Sequence, residues 1–332
     1  MNELSSVPIS VEFKDQRPGL VAFGIVAVVL GGLCALVPLL GSVFVLLASR
    51  TGAGLQWKIM VPGMVIYAIF SMILVWLGIG SILCRRWARA LLLIVSWGVL
   101  LGGVNGICFY AIFSRTILPA GGAGAQAASI VIAVTEAFMA IFTVFLPGAM
   151  VLFYSRRHVK ATCEAHDPVI RWTDTCPLPV LAASLWFGVT ALGMLAMPLT
   201  RGSVMPLFGI LVAGTKSTVM VLAACALLLY LAWATYRLKI AGWWTALAAL
   251  VLFYVSAMVT FMKVDLMEVY RGFGYPEAQI DQIRRSLGSL LTGKTLMWWT
   301  IPYLLLSYIY LLWIKKYFRP AVDPGAATPT TL

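Results

Sequence analysis

The chain has 332 residues, of which 61% are hydrophobic and 11% charged, and its mean hydropathy is +0.96. This composition excludes a soluble globular protein of this length and predicts an integral membrane protein that crosses the bilayer several times. The formal net charge of +12 would suggest a nucleic-acid partner in a soluble domain. Here the basic residues lie at the ends of apolar runs, so they indicate orientation in a membrane, and we expect no nucleic-acid partner.

The apolar runs of the first half predict four membrane-spanning helices, because a segment inside a bilayer has to satisfy its own backbone hydrogen bonds. A polar tail, residues 1–18, precedes them and lacks the cationic start of a cleavable signal. The predicted spans are residues 19–48, 61–83, 90–113 and 127–154. The first run measures about 45 Å at 1.5 Å per residue, so we expect the span itself to end near Leu40, just after Pro38, with a short apolar appendage.

A polar connector, residues 155–176, separates the first half from the second. The second half predicts four further spans at residues 177–199, 217–235, 243–262 and 296–314. Residues 204–214 are apolar but too few to cross a bilayer, so we expect a re-entrant or interfacial segment there. The tail, residues 320–332, is rich in Pro, Ala and Thr and is expected to be disordered.

The longest loop, residues 263–294, contains an amphipathic pattern. Pro276 and Glu277 suit the first turn of a helix. The residues that follow fall on two faces at helical spacing, with Ile280, Ile283, Leu287 and Leu291 opposite Asp281, Gln282, Arg284 and Arg285. The pattern predicts a helix that lies on the membrane surface or caps the helix bundle.

Shared landmarks indicate that the two halves are copies of one unit. The stretch around Pro38 has a counterpart around Pro198. Two further correspondences agree, Trp87 with Trp243 or Trp244, and Pro147 with Pro302. We therefore predict an all-helical protein of eight transmembrane helices, built from two four-helix repeats, residues 19–154 and 177–319. Because each repeat contains an even number of spans, the two repeats should be parallel.

The basic residues orient this arrangement in the membrane. The two tails, the connector and the turns after the second and sixth spans carry 14 of the 24 Lys and Arg residues. Short loops rich in Lys and Arg remain in the cytoplasm, so both termini and the connector are predicted to be cytoplasmic. The layout resembles, in a general way, that of bacterial multi-span membrane proteins, which implies the bacterial cytoplasmic (inner) membrane and carries over no residue or activity.

One stretch, residues 288–295, formally matches the phosphate-binding pattern G-x4-G-K-[ST]. That loop binds nucleotides where a buried strand leads into a helix, because the helix N–H groups then hold the phosphates. Here the stretch joins a predicted surface helix to a membrane span, on the side predicted to lack ATP. We therefore expect no nucleotide.

The connector contains the soft side chains His158, Cys163, His166 and Cys176 within a short distance in sequence. Zinc accepts such ligands, so these four are weak candidates for a metal site. They include no CxxC pair, and their spacing matches no common zinc motif. A polar loop with reduced thiols is the better interpretation, and we expect neither a metal nor another cofactor.

Glu136 is the one ionisable residue well inside an apolar run. A carboxylate at bilayer depth costs about 3 kcal/mol on insertion scales and therefore marks functional sites. Counted back from Tyr154, however, a span of about 20 residues would begin at about Thr135. Glu136 would then lie near the outer interface, where a hydrated carboxylate needs no functional explanation.

Two functional classes are compatible with these observations. The first is a non-enzymatic scaffold or accessory membrane subunit, favoured by the few buried polar groups, the connector and the amphipathic helix, each of which could dock a protein partner. The second is a carrier for a small or apolar solute, since substrate sites often form where two repeats meet. No catalytic motif lies within a span, so we expect no enzymatic activity.

Overall fold

The computed structural model describes residues 14–50, 57–117, 123–200, 204–272, 275–288 and 292–318. Within these residues, eight helices are long and apolar enough to cross a membrane, which confirms an integral membrane protein with eight candidate spans. The chain divides into two compact units, Met1–Thr175 (unit 1) and Cys176–Leu332 (unit 2). The predicted disordered tail, residues 320–332, lies outside the described residues, as does Leu291.

Unit 1 contains long antiparallel helices followed by a short helix in the connector. Its helices are α1 (Arg17–Arg50), α2 (Trp57–Ile82), α3 (Arg86–Ile117), α4 (Ala123–Ala140), α5 (Leu146–Tyr154) and α6 (Arg157–His166). Pro38 lies inside α1 without ending it, so the helix continues beyond the predicted end of the span near Leu40. Helices α4 and α5 form one candidate span.

Unit 2 adds a β-hairpin and two short helices to its four long helices. Its elements are α7 (Leu178–Thr200), β1 (Val204–Leu207), β2 (Ile210–Ala213), α8 (Thr215–Tyr236), α9 (Ile240–Lys263), α10 (Leu266–Gly272), α11 (Glu277–Leu287) and α12 (Gly293–Ile314). Apart from this hairpin, every secondary-structure element of the described residues is helical, so the expectation of an all-helical chain is confirmed except at residues 204–213.

Small residues let α1 and α2 approach closely. A Cβ atom added to Gly24 would lie 2.9 Å from the carbonyl oxygen of Gly78, and one added to Gly78 would lie 2.7 Å from that of Gly24. The Ser71 hydroxyl donates to the carbonyl of Gly31 at 2.7 Å. Membrane helices associate through such close backbone contacts and hydrogen bonds, because the lipid supplies no hydrophobic driving force between them.

The pair α7 and α8 is held by hydrogen bonds of the same kind. The Ser184 hydroxyl donates to the carbonyl of Ala232 at 2.7 Å, and the Cys225 thiol donates to that of Ala191 at 3.4 Å. Both donors are buried. Their polar groups are therefore satisfied inside the helix pair.

The turn between α2 and α3 closes α2 without a glycine. Cys84 has a φ of +53°, a left-handed conformation that usually requires glycine at the end of a helix. The N–H of Cys84 donates to the carbonyl of Ser81 at 2.9 Å, and the N–H of Arg85 donates to that of Gly80 at 2.9 Å. This pair of bonds satisfies the last carbonyls of α2 and reverses the chain within three residues.

The turn between α8 and α9 repeats this geometry. Leu238 has a φ of +54°. Its N–H donates to the carbonyl of Thr235 at 2.9 Å, and the N–H of Lys239 donates to that of Ala234 at 3.0 Å. Each turn is also the start of the next helix, so it makes the two helices antiparallel neighbours.

A π-helical turn, Ile141–Phe145, joins α4 to α5. Pro147 lacks an N–H group, and its ring would clash with the carbonyl four residues earlier, that of Thr143, so a regular α-helix is disfavoured at this point. The π-helical turn packs tightly against α3. Its Thr143 backbone and side chain leave no room for a Cβ atom at Gly103.

Residues 204–213 form an antiparallel hairpin, a structure that the sequence analysis did not predict for its re-entrant or interfacial segment. Its tip packs on α9, where the N–H of Phe208 donates to the Ser256 hydroxyl and the N–H of Gly209 donates to the Thr260 hydroxyl, each at 3.1 Å. Side chains of α9 therefore satisfy the backbone groups of the tip.

The predicted loop helix is present as α11, and α10 precedes it. The Arg271 side chain donates to both carboxylate oxygens of Glu277, at 2.7 and 3.1 Å, and so links the two helices. Ile280 is fully buried and Ile283 half-buried, while the side chain of Leu287 lies outside the described residues. The first part of the apolar face is thus covered by the protein itself.

Candidate functional site

Most charged residues of unit 1 lie at one end of it, which we call the connector end. It comprises the start of α1, the turn between α2 and α3, the end of α5, and α6 with the loop that follows. Helix α6 packs against α1, α3 and α5. The connector is therefore part of folded unit 1 up to Thr175.

Asp167 is the central charge of the connector end, and its side chain is only 1% exposed. One carboxylate oxygen lies 3.5 Å from Nη1 of Arg85, and the other lies 3.5 Å from Nε of Arg171. The backbone N–H of Arg86 donates to the second oxygen at 3.4 Å. A carboxylate withdrawn from water needs such partners. Asp167 therefore fastens the connector to the start of α3.

Hydrogen bonds fasten α6 at two further points. The N–H of Gln16 donates to the hydroxyl of Thr162 at 3.1 Å, and this hydroxyl donates to the carbonyl of His158 at 2.9 Å. Nη2 of Arg86 donates to the carbonyl of Glu164 at 3.4 Å. Thr162 is fully buried, so the start of α1 and the connector helix share an internal contact.

Cys163 lies on the buried face of α6 and is 1% exposed. Burial raises the pKa of its thiol from 9.0 to about 12, although the charge of Arg89 acts in the opposite direction. A thiol is nucleophilic and binds metals only as the thiolate. Cys163 is thus an inert, protonated core residue at neutral pH.

The four metal candidates of the connector occupy dissimilar surroundings. His158 and His166 are exposed, whereas Cys163 and Cys176 are buried. Nδ1 of His166 pairs with the carbonyl of Thr162 at 2.9 Å. Among the described residues, which include all four, no three His, Cys, Asp or Glu side chains form a group that could hold a metal ion. The expectation that the protein uses no metal remains a prediction.

Glu136 lies in α4, is half-buried, and stands five residues before the π-helical turn. Apolar residues continue on its N-terminal side in α4, since Ile130 and Val131 are 58% and 63% exposed. On α3, a Cβ atom at Gly106 would contact Met139, which lies one turn from Glu136 and on its face of the helix. The apolar surface therefore extends beyond Glu136 by about two helical turns.

The stretch that matches the phosphate-binding pattern has a different setting from a nucleotide loop. Helix α11 precedes it, Thr292 caps the start of α12 through the N–H of Thr295, and residues 289–291 lie outside the described residues. Gly293 packs so closely against the carbonyl of Phe261 that a Cβ atom would not fit. The close approach at Gly293 thus serves the packing of α12 on α9.

A cavity of about 220 Å³ lies beside this stretch, at the end of α9. Its lining includes Asp265, Arg284 and the capping residue Thr292. The N–H of Met267 donates to the Asp265 carboxylate at 3.0 Å, which uses that side chain to start α10. No reactive pair of side chains is formed there among the described residues.

One feature of the connector was missed in the sequence. Val169 and Ile170 follow the buried Asp167 and the exposed Pro168, and they are 58% and 73% exposed. Two apolar residues next to Trp172 could have been noticed as a patch, but their exposure depends on the folded conformation of this segment, in which Arg171 contacts both Asp167 and Asp174. The residues thus present an apolar surface outside the candidate spans.

The chain matches no protein-family model, no curated protein and no solved structure.

Proposed function

We propose that this chain is a non-enzymatic scaffold or accessory subunit of a membrane assembly, and that its connector docks a protein partner. The observation that carries this proposal is the exposure of Val169 and Ile170, which form an apolar patch on an ordered, otherwise polar segment. Apolar surface presented in this way is typical of protein contacts.

Local hydrogen bonds support this role by holding the patch in one conformation. The N–H of Arg171 donates to the Asp174 carboxylate at 3.0 Å, and the N–H of Asp174 donates to the carbonyl of Arg171 at 2.9 Å. The Thr175 hydroxyl donates to the carbonyl of Trp172 at 2.8 Å. A partner that binds a preformed surface loses less conformational entropy than one that orders a flexible loop.

Site-specific photo-crosslinking in cells tests the docking role. A photoreactive residue at Ile170 should give a discrete protein adduct, and Val169→Ser should weaken it. The same probe at Trp186, which is 67% exposed on the membrane-spanning helix α7, serves as a control and should give lipid adducts. Lipid adducts alone from position 170 would contradict the proposal.

We further propose that the two units are parallel repeats of four spans. Three structural correspondences between the units support this proposal. The first relates two turns, and the second relates two hydrogen bonds between paired helices. The turns at Cys84 and Leu238 have the same hydrogen bonds and lie 154 positions apart. The same separation relates Ser71 to Cys225, and each of these side chains donates to a carbonyl of the first helix in its unit.

The third correspondence involves a tyrosine near the end of each fourth span. The Tyr154 hydroxyl hydrogen-bonds to the Ser81 hydroxyl at 2.7 Å, and Ser81 in turn donates to the carbonyl of Leu20. The Tyr310 hydroxyl donates to the carbonyl of Pro179 at 2.6 Å. Both tyrosines thus connect the end of the fourth span to the first turns of the first helix. The separation of 154 positions between the turns aligns Trp87 with position 241. This alignment differs by two or three residues from the pairing of Trp87 with Trp243 or Trp244 in the sequence analysis.

The orientation that we propose places both termini and the connector in the cytoplasm, with the protein in the bacterial cytoplasmic membrane. The supporting observation is the concentration of Lys and Arg in the connector and in the short turns at Cys84 and Leu238. Helix α11 would then lie outside the cytoplasm. We propose that it caps unit 2, because Ile280 is already buried against protein.

A carrier for a small or apolar solute, with a site between the repeats, is the second candidate function. Glu136 favours it, because apolar surface continues on both sides of this half-buried carboxylate. The test is Glu136→Gln in reconstituted vesicles. A carrier predicts unchanged thermal stability and loss of pH-dependent solute uptake, whereas wild-type behaviour in every uptake assay would remove this candidate.

A further inference from the structure

Three lysines lie at one end of unit 2, which we call the turn end. It comprises the start of α7, the turn between α8 and α9, and the 3-10 turn Lys315–Phe318 that follows α12. Nζ of Lys239 lies 4.1 Å from the centroid of the Trp233 ring. Nζ of Lys315 lies 4.5 and 5.0 Å from the centroids of the Trp243 and Trp244 rings. Both ammonium groups are thus held against aromatic faces.

The third lysine, Lys316, has its Nζ 4.9 Å from the centroid of the Trp313 ring. Trp244 and Trp313 are each about half exposed, at 55% and 49%. Indole rings at the ends of membrane helices lie at the level of the lipid headgroups. The rings therefore place the lysine charges at the boundary between hydrocarbon and water.

The turn end has no negative charge to balance these lysines in the described part of unit 2. Its only carboxylates lie within residues 265–281, at the opposite ends of the long helices. Within the described part of the chain, no salt bridge and no side-chain hydrogen bond to a protein acceptor is formed by Lys239, Lys315 or Lys316. Arg237, in the same turn, adds a fourth positive charge.

At the connector end of unit 1, several basic residues lie beside carboxylates. Arg85 and Arg171 flank the buried Asp167, and Lys160 lies 3.8 Å from Glu164. The opposite end of unit 2 also contains carboxylates, and Arg271 pairs with Glu277 there. The turn end thus differs from both of these ends because it has basic residues and no carboxylate among the described residues.

We infer that Lys239, Lys315 and Lys316 bind the phosphate of an anionic lipid headgroup. A lipid phosphate offers oxygen acceptors to ammonium groups whose donors are unused within the described residues. Basic residues at this level attract anionic lipids, and indole rings pack against the glycerol region below the phosphate. The inference goes beyond the proposed docking role, because the turn end and the connector patch belong to different units.

The matched test uses native mass spectrometry of the full chain in detergent, titrated with phosphatidylglycerol or with phosphatidylcholine of the same acyl chains. The test variant is Lys239→Gln/Lys315→Gln/Lys316→Gln. The control variant, Lys216→Gln/Lys263→Gln/Lys294→Gln, removes the same charge from the opposite ends of α8, α9 and α12.

We expect the test variant to lose phosphatidylglycerol affinity by roughly tenfold or more, since each basic residue near an anionic surface contributes several-fold to the affinity. The control variant should stay within about twofold of wild type.

Substitution by arginine at the three positions should retain the lipid, because it keeps the charge. If the triple glutamine variant does not fold, as judged by gel filtration and thermal unfolding, Lys239→Gln and Lys316→Gln are measured singly. Each should then weaken phosphatidylglycerol binding several-fold. Equal losses in the test and control variants would overturn the inference, as would unchanged binding in the folded test variant. Displacement of the lipid by micromolar inorganic pyrophosphate would assign the lysines to a soluble anion instead.

Discussion

Asp167 shows how a single buried charge can organise a connector. Its carboxylate lies between Arg85 and Arg171, both of which remain about 40% exposed. The arginines can therefore be rehydrated if the carboxylate is lost, whereas the connector would lose its polar contacts with the start of α3. The residue holds the proposed docking patch in place without belonging to it.

Asp167→Asn is expected to destabilise unit 1 by about 1–2 kcal/mol, below the usual cost of breaking a fully buried pair because the arginines regain water. Thermal unfolding followed by tryptophan fluorescence measures this loss. Glu164→Gln, which removes an exposed ion pair with Lys160, should change stability by less than about 0.5 kcal/mol and serves as the control. Equal effects of the two substitutions would mean that Asp167 is no more important than a surface charge.

Cys163 gives a prediction for pH dependence. Because burial raises its pKa to about 12, the folded protein holds the thiol proton more tightly than the unfolded chain, whose value is 9.0. The resulting stabilisation is complete below pH 9 and is lost as the pH rises towards 12. At pH 8 the alkylation of Cys163, followed by peptide mass spectrometry, should be at least roughly 100-fold slower in folded than in denatured protein. Similar rates in both states would contradict the burial of this thiol.

The sequence could not predict these residue-level features. Asp167 was one acidic residue in a polar segment, and its burial depends on α6 packing against α1, α3 and α5. The four metal candidates were chosen for proximity in sequence, but α6 turns His158 outwards and Cys163 inwards. Helical periodicity applied to the connector would have separated the two.

At the level of elements, the long helices were predictable and the short ones were not. Hydropathy locates each span because about 20 apolar residues have few alternatives in a membrane. The hairpin β1–β2 contains Pro206, and its tip depends on hydroxyl acceptors from α9, so its own sequence does not specify it. The left-handed residues Cys84 and Leu238 are likewise not recognisable as turn residues.

The turns offer a direct test of the proposed repeat. A Cβ atom at Gly80 would lie 2.6 Å from Cβ of Ala88, and a Cβ atom at Gly242 would lie 2.6 Å from Cβ of Ala234. The glycine and the alanine thus exchange places between the two units at equivalent positions. Each turn has room for one methyl group and not for two.

Gly242→Ala alone should therefore destabilise unit 2 by about 1–3 kcal/mol through overpacking. Combining it with Ala234→Gly should restore stability to within about 1 kcal/mol of wild type, because the pair then matches Gly80 and Ala88 and the helix propensities cancel. Thermal unfolding of both variants is the measurement. A double variant no more stable than Gly242→Ala would contradict the equivalence of the turns.

For the whole molecule, we propose two four-helix units that cross the membrane in the same direction. The sequence supplies the number of spans, and the structure confirms eight candidates. The number of spans and their packing do not determine which side of the membrane each loop occupies. That orientation depends on the charge difference between loops on the two sides. The parallel arrangement nevertheless makes a definite statement about which loops share a side.

Labelling of single cysteines with a membrane-impermeant maleimide tests that statement most directly, after the native cysteines are replaced by alanine. Cysteines at Ser155 and Arg237 should be labelled only in inverted membrane vesicles, and cysteines at Gly122 and Gly274 only in spheroplasts. Labelling of Ser155 and Arg237 from opposite sides of the membrane would contradict two parallel four-helix units.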